Sequence, residues 1–153
     1  MSLFEDYDPQ KGKMFQVLKP DGTLVIAIEN KLGIKYWAGA REDHTGIVFD
    51  SIEGYPHDTS PMTFGRHELE QLLVKCGLTD IEFYYPMPDY KFPMEIFSDS
   101  YLPGIGHLKT MAPNLDMDRY SLFSEPLALN NVIKNSMFPF FANSFLVFCK
   151  FCK

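Results

Sequence analysis

Hydrophobic residues fall into a few dense blocks separated by long stretches without a period. Thr23-Leu24-Val25-Ile26-Ala27-Ile28 is a continuous, β-branched apolar run, the pattern of a strand covered on both faces in a parallel sheet. Lys19-Pro20-Asp21-Gly22 forms the turn that launches it, with Pro presetting φ and Gly supplying the unusual backbone angle. Glu29 and Asn30 end the run. Thr63, a good N-cap residue, opens a helix in which Leu69, Leu72, Leu73 and Cys76 follow at i, i+3, i+4 and i+7, and Gly77 stands where a C′ glycine belongs. Thr79 to Tyr85 reads as a strand that Pro86 and Pro88 stop. Ser124-Glu125-Pro126 marks a second helix start, running through Leu127, Val132 and Ile133 to Asn135. Ala142 to Phe151, aromatic and β-branched, is the last strand.

The remaining stretches are irregular. Residues 1–12 read as a leader, with Met1-Ser2-Leu3 a candidate vector remnant, and Lys13 to Leu18 as a short helix. The segment from Lys31 to Met62 carries Gly33, Gly39, Gly46 and Gly54 among aromatics. A loop that long in a compact domain is functional or disordered, and its aromatics argue against disorder. Pro86 to Ser124 is a structured excursion, because its aromatic residues would be wasted in solvent.

A strand buried on both faces needs hydrogen-bonded neighbours, and a parallel neighbour needs a crossover of a dozen or more residues. Upstream of Thr23 no strand signal supplies one. The expectation is therefore an α/β chain that forms the C-terminal portion, residues 13–153, of a larger domain.

Leu18-Lys-Pro-Asp-Gly-Thr-Leu-Val-Ile-Ala-Ile-Glu-Asn30 resembles the fifth strand, and the turn before it, of class I S-adenosylmethionine-dependent methyltransferases. Leu32-Gly-Ile-Lys-Tyr-Trp-Ala-Gly-Ala, Glu42-Asp-His-Thr-Gly, Ile52-Glu-Gly-Tyr, Thr63-Phe-Gly-Arg-His-Glu-Leu and Phe83-Tyr-Tyr-Pro-Met-Pro-Asp-Tyr-Lys resemble a bacterial subgroup. That subgroup is found alongside glycosyltransferases of surface-polysaccharide synthesis. The resemblance covers most of the chain after Lys13. It implies a partial Rossmann-like methyltransferase sheet made of the last three strands, mixed parallel and antiparallel, with long aromatic loop insertions. The last strand would run antiparallel between the other two, setting 23–28, 142–151 and 79–85 side by side. In the family, S-adenosylmethionine sits on a glycine-rich loop after the first strand, and an acidic residue ending the second strand holds the ribose. Neither feature is present here, so the resemblance implies the acceptor-binding half, without cofactor-binding residues, of an enzyme acting on a sugar or glycan precursor.

Charge and composition narrow the partners. Fourteen Lys and Arg stand against 20 Asp and Glu, a formal charge of −6, so nothing attracts a phosphate backbone and nucleic acid is not an expected partner. Among 153 residues, the longest apolar stretch, Met137 to Cys149, is broken by Pro139, Asn143 and Ser144 and is too short to span a bilayer. Cys76, Cys149 and Cys152 are too few and odd in number for a secreted disulfide framework, which points to a reducing cytoplasm. An aromatic share of 15% points to a wide apolar cleft or an interface.

The candidate chemistry follows from position. Active sites in open α/β sheets lie beyond the carboxyl ends of the strands. Asp43-His44, in the loop after the first strand, is the catalytic candidate, since a histidine oriented by an acid can serve a hydroxyl nucleophile as base. A loop-bracing histidine is the bland alternative. Glu29 and Asn30 at the strand end are candidates to hydrogen-bond a substrate or to cap the strand, and Tyr36 and Trp37 to wall a sugar face or to pack in the core. Asp89 and Tyr90 are candidates for the same cleft, or for a turn. Cys149 and Cys152 have metal spacing, but lack a second pair and face opposite ways along a strand, so no metal site is assigned. His57, His67 and His107 lack partners at ligand spacing and read as structural or exposed. Two further expectations remain. The apolar run 24–28, stripped of a parallel neighbour, would self-associate unless the leader covers it. The alternative function is a non-catalytic protein-interaction module whose aromatics form an interface.

Overall fold

A computed structural model describes residues 22–57, 61–109 and 119–151. The leader, the helix expected at 13–18, most of the turn before the first strand and Cys152 lie outside them. The described elements are β1 (Thr23–Glu29), α1 (Ile34–Trp37), α2 (Arg66–Lys75), β2 (Leu78–Met87), β3 (Glu95–Ser98), α3 (Glu125–Lys134), α4 (Phe138–Phe141) and β4 (Ser144–Phe151). None of the described helices is long and apolar enough to cross a membrane.

The strands form one α/β sheet in the order β1-β4-β2-β3. β4 lies between β1 and β2 and runs antiparallel to both, pairing Ile26 with Val147 and Phe83 with Val147. This is the placement expected for the last strand. The expected mixture of parallel and antiparallel ladders is not found, because every ladder among the described strands is antiparallel. β1 and β2 do point the same way, but β4 enters between them, so co-directional strands never become neighbours.

β1 also departs from its expected burial on both faces. Its exposure alternates, with Leu24, Ile26 and Ile28 against the core and Val25 49% exposed. The reason is layering. Ile34 of α1, Leu69 and Leu73 of α2, Leu129 of α3 and Phe138 of α4 all pack in one cluster with Phe83, Tyr85, Phe145 and Val147. Side chains alternate across a strand, so Val25, Leu146, Phe148 and Tyr84 share the other face, where a concavity of about 690 Å³ lies open. On the covered face, aromatic rings meet edge to face, Phe83 on Phe145 at 5.6 Å and Phe97 on Phe138 at 5.8 Å.

Element boundaries shift for local reasons. α2 starts at Arg66, with Gly65 at the N-cap and Glu68 accepting from the Gly65 N–H at 2.8 Å. Thr63 does not cap it, because its hydroxyl and N–H are both engaged by the Tyr55 hydroxyl. The helix ends as expected at Cys76, with Gly77 at φ 76°. β2 runs through Pro86, since its pairing to β4 has ended at Tyr84 and the absent N–H is not required there. β3 was not expected; it pairs Ile96 with Pro86 and makes the other edge. α3 starts and stops as read, from Ser124 to Asn135. α1 and α4 are single turns inside stretches without helical period.

Candidate functional site

The carboxyl ends of β1 and β2 meet the amino end of β4, and two asparagines lock the three together. The Asn30 side chain donates to the Phe140 and Ala142 carbonyls at 2.8 and 2.7 Å and accepts from the Leu32 N–H at 3.0 Å. Asn143 accepts from the Lys35 N–H at 3.0 Å and donates to the Pro88 carbonyl at 3.0 Å. Both amides are spent on backbone. Asn30 is therefore placed as a strand clip, and the offered alternative of a substrate contact has no donor left to serve it. Gly33 makes the approach of α1 possible, because a Cβ there would stand 2.9 Å from Asn143 Cα.

On this frame sits a network of charges that the sequence shows only in part. Lys35, 1% exposed, reaches Asp43 at 2.8 Å and Asp89 at 3.2 Å. Lys91 reaches Glu29 at 2.9 Å and Asp43 at 3.5 Å. Three carboxylates thus share two ammonium groups. The fold brings Glu29, Asp43, Asp89 and Tyr90 together, and Asp89 also braces its own turn by accepting from the Lys91 N–H at 2.9 Å. Lys35 and Lys91, which hold them, were not anticipated.

The electrostatics follow from burial and pairing. Burial works to raise the Asp43 carboxyl, but Lys35, the Tyr36 hydroxyl and Lys91 outweigh it and hold Asp43 below its ordinary value. Tyr36 is wholly buried and donates to Asp43; burial first and the Asp43 charge second push its phenol far up. Tyr36 is therefore a core anchor of the network and not a wall for a sugar. Lys91 is raised because its bonds to Glu29 and the nearby Asp43 outweigh its desolvation. Tyr90 is raised by burial and by Glu29. Beneath the network Arg119 donates to the Lys35 carbonyl at 2.8 Å and pairs with Glu125, whose carboxyl burial nonetheless pushes up.

His44 stands apart from this network. Its ring is exposed and the Asp43 carboxylate turns to Lys35, Tyr36 and Lys91, so neighbours in sequence do not form a His-Asp pair. The turn that carries His44 is pinned by buried Glu42, which accepts from the His44 and Thr45 N–H groups at 2.7 Å each. Tyr55 completes the brace through a bond to Glu42 at 3.2 Å. Trp37 keeps its ring partly exposed, edge to face with Phe141 at 6.3 Å. A histidine-acid pair does exist in the same loop. His57 Nδ1 lies 3.1 Å from Asp50, a carboxylate with no exposed side-chain surface, and the ring itself is 63% exposed. The seven-residue spacing hides it from a search for adjacent partners. His67 and His107 are exposed, as read. Cys149 is buried on the core side and burial raises its thiol.

Comparisons with protein-family models, with curated proteins and with solved structures return no significant match for the chain.

Proposed function

We propose that this chain is the acceptor-binding part of an S-adenosylmethionine-dependent methyltransferase domain of the glycosyltransferase-associated kind, acting in the cytoplasm on a sugar or glycan precursor. The observation that carries the reading is the convergence of Glu29, Asp43, Asp89, Tyr90 and their two lysines beyond the carboxyl ends of β1 and β2, the place where open α/β sheets bind ligands. A reversed β4 between co-directional β1 and β2 supports it, since that is how the Rossmann-like sheet of the resemblance would close.

The residues present do not fit the cofactor. None of the described strands leads into a glycine-rich turn and a helix of more than one turn that could cradle it. In this reading the chain's own residues bind and orient the acceptor. The exposed rims of Asp89, Tyr90 and Lys91 hydrogen-bond sugar hydroxyls, Trp37 offers an apolar face, and His44 takes a hydroxyl proton at the tip of its Glu42-pinned turn.

A second reading, a non-catalytic interaction module, is favoured by one observation, the apolar face that exposes Val25 and Ile96. Methyl transfer to a panel of nucleotide-linked sugars, assayed with the chain in its full natural polypeptide, separates the two. Transfer that falls on the order of 100-fold in His44→Ala is the expected result. No transfer to any acceptor contradicts the enzyme reading, and unchanged transfer in the variant removes His44 from the mechanism.

A further inference from the structure

A second hollow, of about 290 Å³, lies at the same end of the sheet as the charged network. Arg66, His67 and Asp99 form its polar side, and Met137, Pro139 and Phe140 its apolar side. The Phe140 carbonyl accepts from the Asn30 side chain at 2.8 Å, and Asn30 bridges to Phe64 just before α2, so the hollow is tied to the end of β1. Two routes join it to the exposed ring of Trp37. Phe140 meets Phe141 at 4.9 Å and Phe141 meets Trp37 at 6.3 Å, both edge to face. Trp37 Nε1 also donates to the Leu32 carbonyl at 3.2 Å, and the Leu32 side chain stands against Gly65, the residue before Arg66.

The polar side is held in place and has bonding capacity left. The Arg66 guanidinium lies over the Phe83 ring at 4.5 Å and donates to the Tyr85 hydroxyl at 3.0 Å, to Glu70 at 3.0 Å and to Asp99 at 2.8 Å. Buried Tyr85 donates to the other Asp99 oxygen. Three of the five guanidinium N–H groups are used in this way, and each Asp99 oxygen accepts one bond. Two donors and a further acceptor site on each oxygen remain. The Asp99 side chain is 46% exposed and the His67 ring is exposed, so these groups can be reached from solvent.

We propose that this hollow is a second sugar subsite, which takes the residue next to the one held at Trp37, so that the acceptor is an oligosaccharide and not a single sugar. The inference rests on the acceptor-binding reading above and extends it. A fixed donor and acceptor beside an exposed aromatic ring suit a pyranose: its hydroxyls bond the guanidinium and the carboxylate while its C–H face lies on Phe140, which is 40% exposed. Asp99 and Glu70, both paired with Arg66, leave no net positive charge there, so neutral hydroxyls fit the place and a phosphate does not.

Titration of the isotope-labelled chain with glucose, galactose, mannose and rhamnose, and with their di- and trisaccharides, tests this through its amide resonances. Single sugars are expected to shift the Trp37, His44 and Asp89 to Lys91 set alone. A longer saccharide should shift that set together with Arg66, His67, Met137 and Phe140, and bind about tenfold tighter, the gain of one ring contact and its hydrogen bonds. Phe140→Ala and, separately, His67→Ala change exposed side chains, so the fold is kept, which circular dichroism checks. Each should bring the ratio of trisaccharide to single-sugar affinity down toward one. Longer saccharides that leave Arg66, His67, Met137 and Phe140 unshifted, or a ratio untouched by both variants, overturn the subsite and leave the acceptor reading standing. Shifts at the hollow without shifts at Trp37 overturn the claim that one glycan spans both places. No shift with any saccharide overturns the acceptor reading and this inference with it.

Discussion

At the carboxyl end of the sheet, charged and amide groups are buried and matched; across its open face, large apolar groups are left to solvent. Lys35, Glu29 and Asn30 are almost without exposure, and each has bonding partners within the chain. Val25, Ile96 and the flank of Phe148 have no covering layer among the described residues. Buried ions are costly unless paired, so the polar end is a fixed arrangement whose loss unfolds it. Exposed apolar groups in a contiguous patch mark a surface that meets another, so the open face is where a further surface belongs. Chemistry is therefore sought at the first region and association at the second.

The contrast can be broken most forcefully in the core. Phe145→Ala on the helix-covered face should cost about 3–5 kcal/mol, while Phe148→Ala, three residues along the same strand and on the open face, should cost about 1 kcal/mol or less. Chemical denaturation of both variants decides it, and equal losses would mean that the open face is covered after all. Lys35→Met should cost about 3–5 kcal/mol by the same measurement, because it strands Asp43 and Asp89 without their shared cation. Gly33→Ala should cost about 1–3 kcal/mol, since the added carbon must push α1 from Asn143.

The smallest effects come from titration. Asp43 is held below the ordinary carboxyl value of about 3.9. Its contribution to stability is complete above that value and is lost as pH falls through the lower folded one. Lys91 is raised above the ordinary value of about 10.4, so its contribution is complete below that pH and fades as pH rises beyond it. Solvent screening of its half-exposed side chain keeps this limb weak. Melting curves should therefore show a plateau with a steeper acid limb. Asp43→Asn should flatten that limb.

Much of the architecture was legible in local pattern. Leu69, Leu72, Leu73 and Gly77 announce α2, and the β-branched runs announce β1 and β4. β3 was not, because four residues following Pro93 carry too short a period, and Ile96 of them is exposed. At the site the acids at strand ends were legible from topology alone. The lysines were not, because a lysine is exposed by default and Lys35 finds Asp89 across 54 residues. Thr63 looked like a cap because nothing in its neighbourhood reveals the Tyr55 hydroxyl that claims it. Asp43-His44 looked like a pair because adjacency in sequence was the only cue; the fold pairs Asp50 with His57 instead.

The most direct test of an acceptor-binding end is to titrate the isotope-labelled chain with nucleotide-linked sugars and follow its amide resonances. The account predicts shifts confined to Trp37, the turn at Asp43 and His44, and Asp89 to Lys91, with no tight binding of S-adenosylhomocysteine. Shifts confined to the open face of β4, or saturable S-adenosylhomocysteine binding by this chain alone, would contradict it.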